Sequence, residues 1–342
     1  MTTKDGTTST TCLVLGGSTF VGRTLVAHLL RRGDRVSVLN RGRSAAPDGV
    51  STLIADRTDP AAVRAAIGGR DWDEVYDVSG FVKTTTAEAF TDLVSCLDGR
   101  TGAYVYVSSI MAYEPSDTLL WPETQPLRAE APTRYGGFKV HAERTLLTAH
   151  ADRGFPAAIA RPAAIYGPHN NIYGMEAAMF LRLRDGLPIL LPHDGDIATS
   201  YGHVDDLCTA LTTMAAAPAA RGEAFNITGA AVSSREYVSV LAELAGSEPD
   251  LRLLPDDVVD RLSGPAFCHL FHRRHHGTLD TTKAATALGL TPRYDFRTGH
   301  AQTYEWLRTE LLPGVPNAMS DPLWGAGFDL RYEAEVAGRA AA

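Results

Sequence analysis

The chain of 342 residues lacks several features that would assign it to a special class. Its four cysteines, Cys12, Cys96, Cys208 and Cys268, show neither metal-site spacing nor a disulfide framework, so we expect reduced thiols and no metal. The sequence contains no run of about 18 apolar residues, so we expect no membrane span. The polar first ten residues lack the order of a signal peptide, and we expect a cytoplasmic protein.

Positive charge is also scarce. Lysine and arginine total 32 against 40 acidic residues, which gives a net charge of −8. This balance argues against broad contact with nucleic-acid phosphates or an anionic membrane. The composition, 44% hydrophobic and 21% charged, is that of a globular protein, and the length allows one large domain or two lobes.

A glycine-rich turn stands between a predicted strand at Cys12–Leu15 and a predicted helix at Arg23–Arg32. Such a turn brings backbone N–H groups close to a phosphate at the positive end of a helix. Thr19 replaces the middle glycine of the usual dinucleotide fingerprint. The cofactor-binding residues predicted here are Gly16, Ser18, Thr19, Phe20, Val21 and Gly22.

The second predicted strand, Arg35–Leu39, ends in Asn40-Arg41-Gly42-Arg43. An acidic residue at this place would bind the ribose 2′-hydroxyl of NAD and repel a 2′-phosphate. Asn40 removes that repulsion, and Arg41 or Arg43 could pair with the phosphate, so NADP is favoured over NAD. A solvated basic turn is the alternative interpretation.

Strands and helices continue to alternate, which predicts an α/β fold with a doubly wound parallel sheet. Ligands bind such sheets at the carboxyl ends of the strands. There we expect Asp56, with Arg57, to contact the adenine, and the small residues of Val78-Ser79-Gly80 to let the cofactor approach. Ser109 ends a further strand.

Tyr135 and Lys139 lie four residues apart at the start of a predicted helix, on one helical face. An ammonium group beside a phenol favours the phenolate and lowers the phenol pKa, which makes tyrosine a usable acid or base. The chain has only four lysines, so this spacing is suggestive.

These features together resemble the extended and atypical short-chain dehydrogenase/reductases, also described as NAD-dependent epimerase/dehydratases, over about residues 12–311. The strand-2 ending and Thr19 are similar to the branch that contains the chloroplast stem-loop-binding proteins. The marks are the glycine turn, Val107-Ser108-Ser109, Tyr135 with Lys139, Arg161-Pro162 with Tyr166-Gly167-Pro168, and His203-Val204-Asp205-Asp206.

The resemblance implies a role for each matching position. Tyr135 would be the acid/base, Lys139 would hold the nicotinamide ribose, Ser109 would bind the substrate oxygen and Pro162 would pack by the nicotinamide. A homodimer is also expected. Met111, Tyr166 and Asn170 are predicted, with Ser109, to contact the substrate. His203, Asp205 and Asp206 are interpreted as a helix start.

The same family pattern implies three parts of the chain. The expected dinucleotide-binding domain comprises residues 11–168 and 198–229. A smaller, mainly helical substrate lobe comprises residues 169–197 and 230–312, and residues 313–342 form a C-terminal extension.

Two departures from the family pattern limit the chemistry. Ile110 and Met111 stand where dehydratases carry acidic residues, which argues against elimination of water. Thr199 stands where members that grip a sugar-nucleotide diphosphate often carry arginine, although Arg182 or Arg184 could replace it.

We therefore predict an NAD(P)-dependent epimerase acting on a hydroxyl-bearing carbon of a sugar or sugar-like small molecule, through a transient ketone. One alternative is an NADPH-dependent ketoreductase of a small-molecule ketone. The other is a nucleotide- or RNA-binding protein that keeps the fold without the redox step; the acidic charge and the Ser109, Tyr135 and Lys139 set speak against it.

Overall fold

A computed structural model describes residues 9–43, 47–81, 83–172, 174–262, 274–314 and 329–340. The strands there are β1 (Thr11–Leu15), β2 (Arg35–Asn40), β3 (Ser51–Ile54), β4 (Trp72–Asp77), β5 (Thr101–Val107), β6 (Ala157–Pro162), β7 (Ala164–Tyr166), β8 (Ile189–Pro192), β9 (Ala198–His203), β10 (Glu223–Ile227), β11 (Ala231–Ser233) and β12 (Leu251–Leu254). The α-helices are α1 (Phe20–Arg32), α2 (Pro60–Ile67), α3 (Ala87–Leu97), α4 (Tyr135–Arg153), α5 (Glu176–Asp185), α6 (Val204–Ala216), α7 (Ser234–Ala245), α8 (Asp256–Val259), α9 (Thr282–Leu288), α10 (Phe296–Trp306) and α11 (Leu330–Ala340).

Seven parallel strands form the central sheet, in the order β10-β6-β5-β4-β1-β2-β3. Side chains alternate between its faces, so that Val14 packs in the core under α1 and α6 while Leu13 and Leu15 pack under α2, α3 and α4. Both faces are covered by helices, and most side chains of β1, β2, β5 and β6 are therefore buried. The predicted doubly wound fold is confirmed.

The chain direction places the carboxyl ends of all seven strands at one edge of this sheet. The ends of β1, β2, β4, β5 and β6 are adjacent there. The glycine turn follows β1, Asn40 is the last residue of β2, and β4, β5 and β6 are followed by Val78, Ser108 and Ala163. Residues far apart in sequence thereby meet at a single edge.

A second hydrophobic core lies among α5, α7, α10 and two small sheets, β11-β9-β7 and β12-β8. The sequence predicted a mainly helical lobe and missed these five short strands, because their pairing is set by distant partners. The α10 helix begins at Phe296, where the Asp295 carboxylate caps it by accepting from the Thr298 N–H at 2.7 Å. His203 likewise caps α6, which confirms that prediction.

Residues 329–340, expected in an extension, include α11, which packs on β8 and β12 through Val336 and Ala337. The buried Arg182 guanidinium donates to both Glu333 carboxylate oxygens at 2.7 and 2.9 Å.

Cys12 and Cys208 are buried free thiols and Cys96 is a half-buried one, while Cys268 lies outside the described residues. Among the described helices, none combines the length and apolar character needed to cross a bilayer.

Candidate active site

A cavity of about 1030 Å³ opens at the carboxyl edge of the central sheet. This is the upper end of the usual size of small-molecule sites, which suits a large cofactor together with a substrate. Of the predicted cofactor residues, the following line it: Gly16, Ser18, Thr19, Phe20, Val21, Gly22, Asn40, Arg41, Arg43, Arg57, Val78, Ser79, Lys139 and Pro162. Of the predicted catalytic and substrate residues, Tyr135, Ser109 and Met111 line it.

The glycine turn forms a cradle that side chains would fill. Gly16 has a φ of +99°, and a Cβ there would lie 2.5 Å from the Ser79 Cβ. A Cβ on Gly22 would lie 2.0 Å from the Gly16 carbonyl oxygen. The first turn of α1 borders the cavity at Phe20. These residues fit a phosphate-bearing dinucleotide, because close backbone and a helix N-terminus both favour an anion.

The end of β2 joins the glycine turn through Asn40. Its side-chain amide donates to the Ser18 hydroxyl at 2.9 Å, and its amide oxygen accepts from the Gly42 N–H at 2.8 Å. Arg41 and Arg43 line the cavity beside it, and both are exposed. Asn40 therefore has an orienting role that the sequence did not predict.

Asp56 lies elsewhere than expected. Its carboxylate accepts from the N–H and the hydroxyl of Thr58 at 2.9 and 2.8 Å, which lowers its pKa, and it does not line the cavity. The next residue, Arg57, does line it. The Arg57 guanidinium forms a buried two-point ion pair with Asp77, with both distances 2.6 Å, and donates to the Ser79 hydroxyl at 2.9 Å.

Gly80 lies behind the cavity wall. A Cβ there would lie 2.7 Å from the Tyr106 ring, and its carbonyl accepts from the Tyr106 hydroxyl at 2.8 Å. The same carbonyl accepts from the Lys139 ammonium group at 2.9 Å. Gly80 thus contributes a backbone oxygen that holds Lys139.

Tyr135 and Lys139 occupy the first turn of α4, at the cavity. Lys139 is buried, and its Nζ donates to Gly80 and, at 2.7 Å, to the Val107 carbonyl, so it ties α4 to the ends of β4 and β5. The Nζ lies 5.5 Å from the centre of the Tyr135 ring. Tyr135 is 41% exposed and faces the cavity.

The pKa values differ from the expected pattern. Burial lowers the pKa of Lys139 to about 7, opposed by the nearby Asp77 carboxylate. Burial raises the pKa of Tyr135, while the Ser109 side chain lowers it. The expected lowering of the Tyr135 pKa by Lys139 is not found in this structure, where the Lys139 Nζ donates to two backbone carbonyls.

Ser109 follows β5 and caps the 3₁₀ turn at Ile110–Ala112, where its hydroxyl accepts from the Met111 N–H at 3.1 Å. Its side chain is nine-tenths buried at the cavity, close enough to Tyr135 to affect the phenol pKa. Ile110 and Met111 also line the cavity. Neither side chain can exchange a proton, so this turn offers no acid for elimination.

A buried polar network supports these residues from behind. Glu143, one turn beyond Lys139, accepts from the Ser108 hydroxyl and from Arg161 at 2.6 Å. Arg161 also donates to the Tyr113 hydroxyl at 2.9 Å, and that hydroxyl donates to Asn226 at 2.7 Å. Sequence analysis missed Glu143, although its position on the Tyr135 face of the helix was a signal.

Two predicted substrate residues lie away from the cavity wall. Tyr166 is buried in the second core and stacks on His300 with ring centres 3.8 Å apart. Asn170 is buried against Glu176. The wall at this end is instead formed by neighbours of these residues, most of them apolar: Ala163, Ala164, Ile165, Asn171, Ile172 and Met175.

The arginines considered for a diphosphate are committed elsewhere. Arg182 pairs with Glu333 and Arg184 with the neighbouring Asp185 at 2.7 Å, and neither lines the cavity. Thr199 is buried. The suggestion that Arg182 or Arg184 replaces the missing arginine is therefore wrong for the arrangement described.

The loop after β4 supplies cavity residues that sequence analysis missed, namely Phe81, Lys83 and Thr84. The Phe81 ring packs edge-on against Tyr135 with centres 6.1 Å apart. Their position after the carboxyl end of β4, in the same loop as Gly80, was the signal that could have identified them, because ligands bind such sheets at the carboxyl ends of the strands.

Cys12, Asp34 and Glu74 bring three potential metal ligands together on the opposite side of the molecule. The Arg32 guanidinium already lies among them. It donates to Asp34 at 2.6 Å, to Glu74, and to the Cys12 sulfur at 3.7 Å. Burial further raises the pKa of Cys12, which disfavours the thiolate that a metal requires. We interpret the cluster as an ion-pair group.

The family profile for "NAD dependent epimerase/dehydratase family" matches residues 12–228. The chain belongs to this family. Its central sheet, glycine turn and Tyr135–Lys139 pair all lie within the matched residues.

Individual relatives share about a quarter of their residues with this family member. It is 27% identical over 307 residues to the chloroplast stem-loop binding protein of 41 kDa b from Arabidopsis thaliana, covering 85% of this chain and 78% of that protein. It is 28% identical over 322 residues to dTDP-glucose 4,6-dehydratase from Streptomyces antibioticus, covering 86% and 92%.

The same fold occurs in the crystal structure of dTDP-glucose 4,6-dehydratase from Bacillus anthracis str. Ames in complex with NAD. The TM-score is 0.74 at 19% identity, over 88% of this chain and 97% of that one.

Proposed function

We propose that this protein is an NAD(P)-dependent oxidoreductase that transfers hydride between the nicotinamide and a hydroxyl-bearing carbon of a small molecule. The observation that carries the proposal is the convergence of Tyr135, Ser109 and Lys139 on the cavity that begins at the glycine cradle. A proton donor, a hydroxyl that can bind the substrate oxygen and a buried cation are the groups that this reaction requires of a protein.

The roles follow from the positions of the side chains. When bound, the dinucleotide supplies or accepts the hydride. The glycine turn and the start of α1 would hold its phosphates, and Lys139 would hold the nicotinamide ribose. Ser109 binds the substrate oxygen. Tyr135 gives that oxygen a proton in reduction and takes it back in oxidation, and solvent at its exposed edge restores the phenol.

Cofactor choice is part of the proposal. Arg41 and Arg43 are exposed at the cavity and the strand end lacks an acidic residue, which supports NADP. The related dehydratase structure was solved with NAD, so the family fold accepts that dinucleotide. We infer that this member binds both and prefers NADP.

Ketone reduction is the net reaction that the wall composition favours. Phe81, Ile110, Met111, Ile165 and Ile172 line the same cavity as the catalytic hydroxyl groups. Such a wall suits a ketone on a largely apolar framework. In this form, bound NADPH would supply the hydride for the carbonyl carbon, Tyr135 would give its proton to the carbonyl oxygen held by Ser109, and the alcohol and NADP would be the products.

Epimerisation is the second candidate, favoured by the family match and by the sugar-nucleotide relatives. The alcohol of a sugar or sugar-like molecule would be oxidised to a ketone, which turns over and is reduced from its other face. The room for that turn cannot come from Gly136 and Gly137. Cβ atoms there would lie 2.5 and 2.2 Å from the carbonyls of Met111 and Ala131.

Isotope tracing tests the proposal. The enzyme is incubated with NADPH carrying deuterium at C4 and a panel of cyclohexanone, acetophenone and 1-tetralone, and separately with UDP-glucose or dTDP-glucose in heavy water without added cofactor. Deuterium at the new carbinol carbon in the first arm supports reduction. An epimer without deuterium at that carbon in the second arm supports epimerisation. Solvent deuterium at that carbon, or equal turnover by Tyr135→Phe, would overturn the proposed hydride transfer.

A further inference from the structure

The loop between β7 and α5 contributes several residues to the cavity wall. Asn171, Ile172 and Met175 of this loop line the cavity, and Ile172 is 48% exposed there. A wall built on a loop needs something that fixes its position, because loops are more mobile than the elements they connect.

Glu176, the first residue of α5, fixes this loop from inside the protein. Only 2% of Glu176 is exposed. Its carboxylate accepts from the Gly167 N–H at 3.3 Å and from the Asn170 side-chain amide at 3.2 and 2.8 Å. Asn170 in turn accepts from the Ile172 N–H at 2.9 Å. The contacts run from a buried carboxylate to the backbone of a wall residue.

The loop backbone adopts conformations that require such support. His169 has a φ of +65°, which is unfavourable for a residue other than glycine. Gly167 has a φ of +142°, and a Cβ there would lie 2.6 Å from a Val204 methyl group. Strained loop conformations persist only where surrounding contacts determine them.

The carboxylate itself is costly to place here. Both of its donors are neutral groups, and burial raises the pKa of Glu176 to about 7 although these hydrogen bonds lower it. A buried carboxyl group of this kind opposes folding unless its hydrogen bonds are kept. A buried carboxyl group at this position is explained if the protein needs this loop conformation more than the stability that the carboxyl group costs.

We propose that Glu176 is a positioning residue that holds the wall residues Ile172 and Met175 through Gly167 and Asn170, and thereby sets which substrates reach Tyr135. This inference rests on the proposed hydride-transfer function for its substrate, but the loop contacts are independent of that function. The effect should fall on substrate binding, because the Glu176 contacts lead to Gly167, Asn170 and Ile172 and none of them involves the glycine turn or the end of β2.

The test compares Glu176→Ala and Glu176→Gln with Glu236→Gln. Glu236 is exposed in the first turn of α7 and serves as the matched control. With NADPH and 1-tetralone, we expect Glu176→Ala to raise KM about tenfold or more while kcat and the NADPH dissociation constant change less than about threefold. Glu176→Gln keeps one acceptor oxygen but places an NH2 group against the Asn170 NH2. Its KM should therefore lie between the KM of the parent and that of Glu176→Ala.

Hydrogen exchange provides a readout that needs no turnover. The Gly167 and Ile172 amides should exchange about tenfold faster or more in Glu176→Ala, and at the parental rate in Glu236→Gln. If the parent enzyme reduces none of the ketones, the proposed function fails, and exchange alone decides whether Glu176 positions the loop. Unchanged exchange in both Glu176 variants would overturn the inference, as would a parallel fall in kcat and NADPH affinity in Glu176→Gln.

Discussion

Tyr135 is distinguished at the residue scale by two different surroundings. Its ring lies against Phe81 and near the buried Lys139 ammonium group, while its exposed edge meets the cavity. Because burial raises its pKa, the phenol is protonated at neutral pH and is ready to donate. Ser109 then has the task of stabilising the charge that develops on proton transfer.

Replacing Tyr135 with Phe removes the proton donor and little else. We expect turnover to fall about 100-fold or more, because general acid catalysis contributes that much, while NADPH affinity and thermal stability stay near the parent values. Steady-state kinetics and a fluorescence titration of NADPH measure both quantities. Turnover within a few-fold of the parent would assign proton transfer to another group.

Replacing both Arg41 and Arg43 with Ala tests cofactor choice. Hydrogen bonds to charged groups contribute about 1.5–3 kcal/mol each, so NADP affinity should fall about 100-fold or more while NAD affinity changes less than about threefold. Arg64→Ala, exposed on α2, is the control. Calorimetric titration with each dinucleotide measures both affinities. Equal losses of NADP and NAD affinity would mean that Arg41 and Arg43 are solvated turn residues that do not recognise the 2′-phosphate.

The start of α4 is the element on which the site depends most. Gly136 brings the helix against the Met111 carbonyl, so that Tyr135 and the Ser109 turn approach each other. A side chain at this position would have to displace backbone, and neither the helix nor the turn can yield without moving a catalytic group.

Gly136→Ala should therefore separate Tyr135 from Ser109. Overpacking of this kind costs about 1–3 kcal/mol, and we expect turnover to fall at least tenfold. Gly338→Ala is the matched control, since it adds the same methyl group to α11 where nothing lies within 4 Å of a new Cβ. Thermal unfolding and kinetics of both variants provide the comparison. Parental activity in Gly136→Ala would show that the close approach is not required.

The elements differ in how far the sequence predicted them. The Tyr135–Lys139 pair and the glycine turn were predictable, because each depends on spacing within a single helix or turn. The Glu143–Arg161 ion pair was not, since its partners come from α4 and β6 and meet only when the sheet forms. The role of Gly136 could not be predicted for the same reason, because the Met111 carbonyl that leaves no space for a side chain there is distant in sequence.

At the scale of the whole molecule, the core of the central sheet meets the second core around the end of β7. His203, which caps α6, lies edge-on to the buried Tyr166, and His300 of α10 stacks on the same ring. Burial lowers the pKa of both histidines. The contact between the sheet and the second core therefore requires neutral imidazoles.

Acid should weaken this contact in a defined pH range. Burial lowers the pKa of His300 to about 3, opposed by its hydrogen bond with the Phe296 carbonyl, against about 6.5 in the unfolded chain. Between these values the unfolded state binds the extra proton, so the His300 contribution to the free energy of unfolding is complete above about pH 6.5. It declines by up to about 1.4 kcal/mol per pH unit as the pH falls toward 3.

Urea unfolding of the parent and of His300→Gln from pH 4.5 to pH 8 isolates this contribution. We expect His300→Gln to be less stable than the parent at pH 8, because the stack on Tyr166 is lost, and to show a shallower decline below pH 6.5. His275→Gln, in an exposed ion pair with Asp117, is the control for a general histidine effect. Parallel curves for parent and His300→Gln would mean that His300 is protonated equally in both states, and acid sensitivity would then have to arise elsewhere, for example from His203, whose pKa burial also lowers.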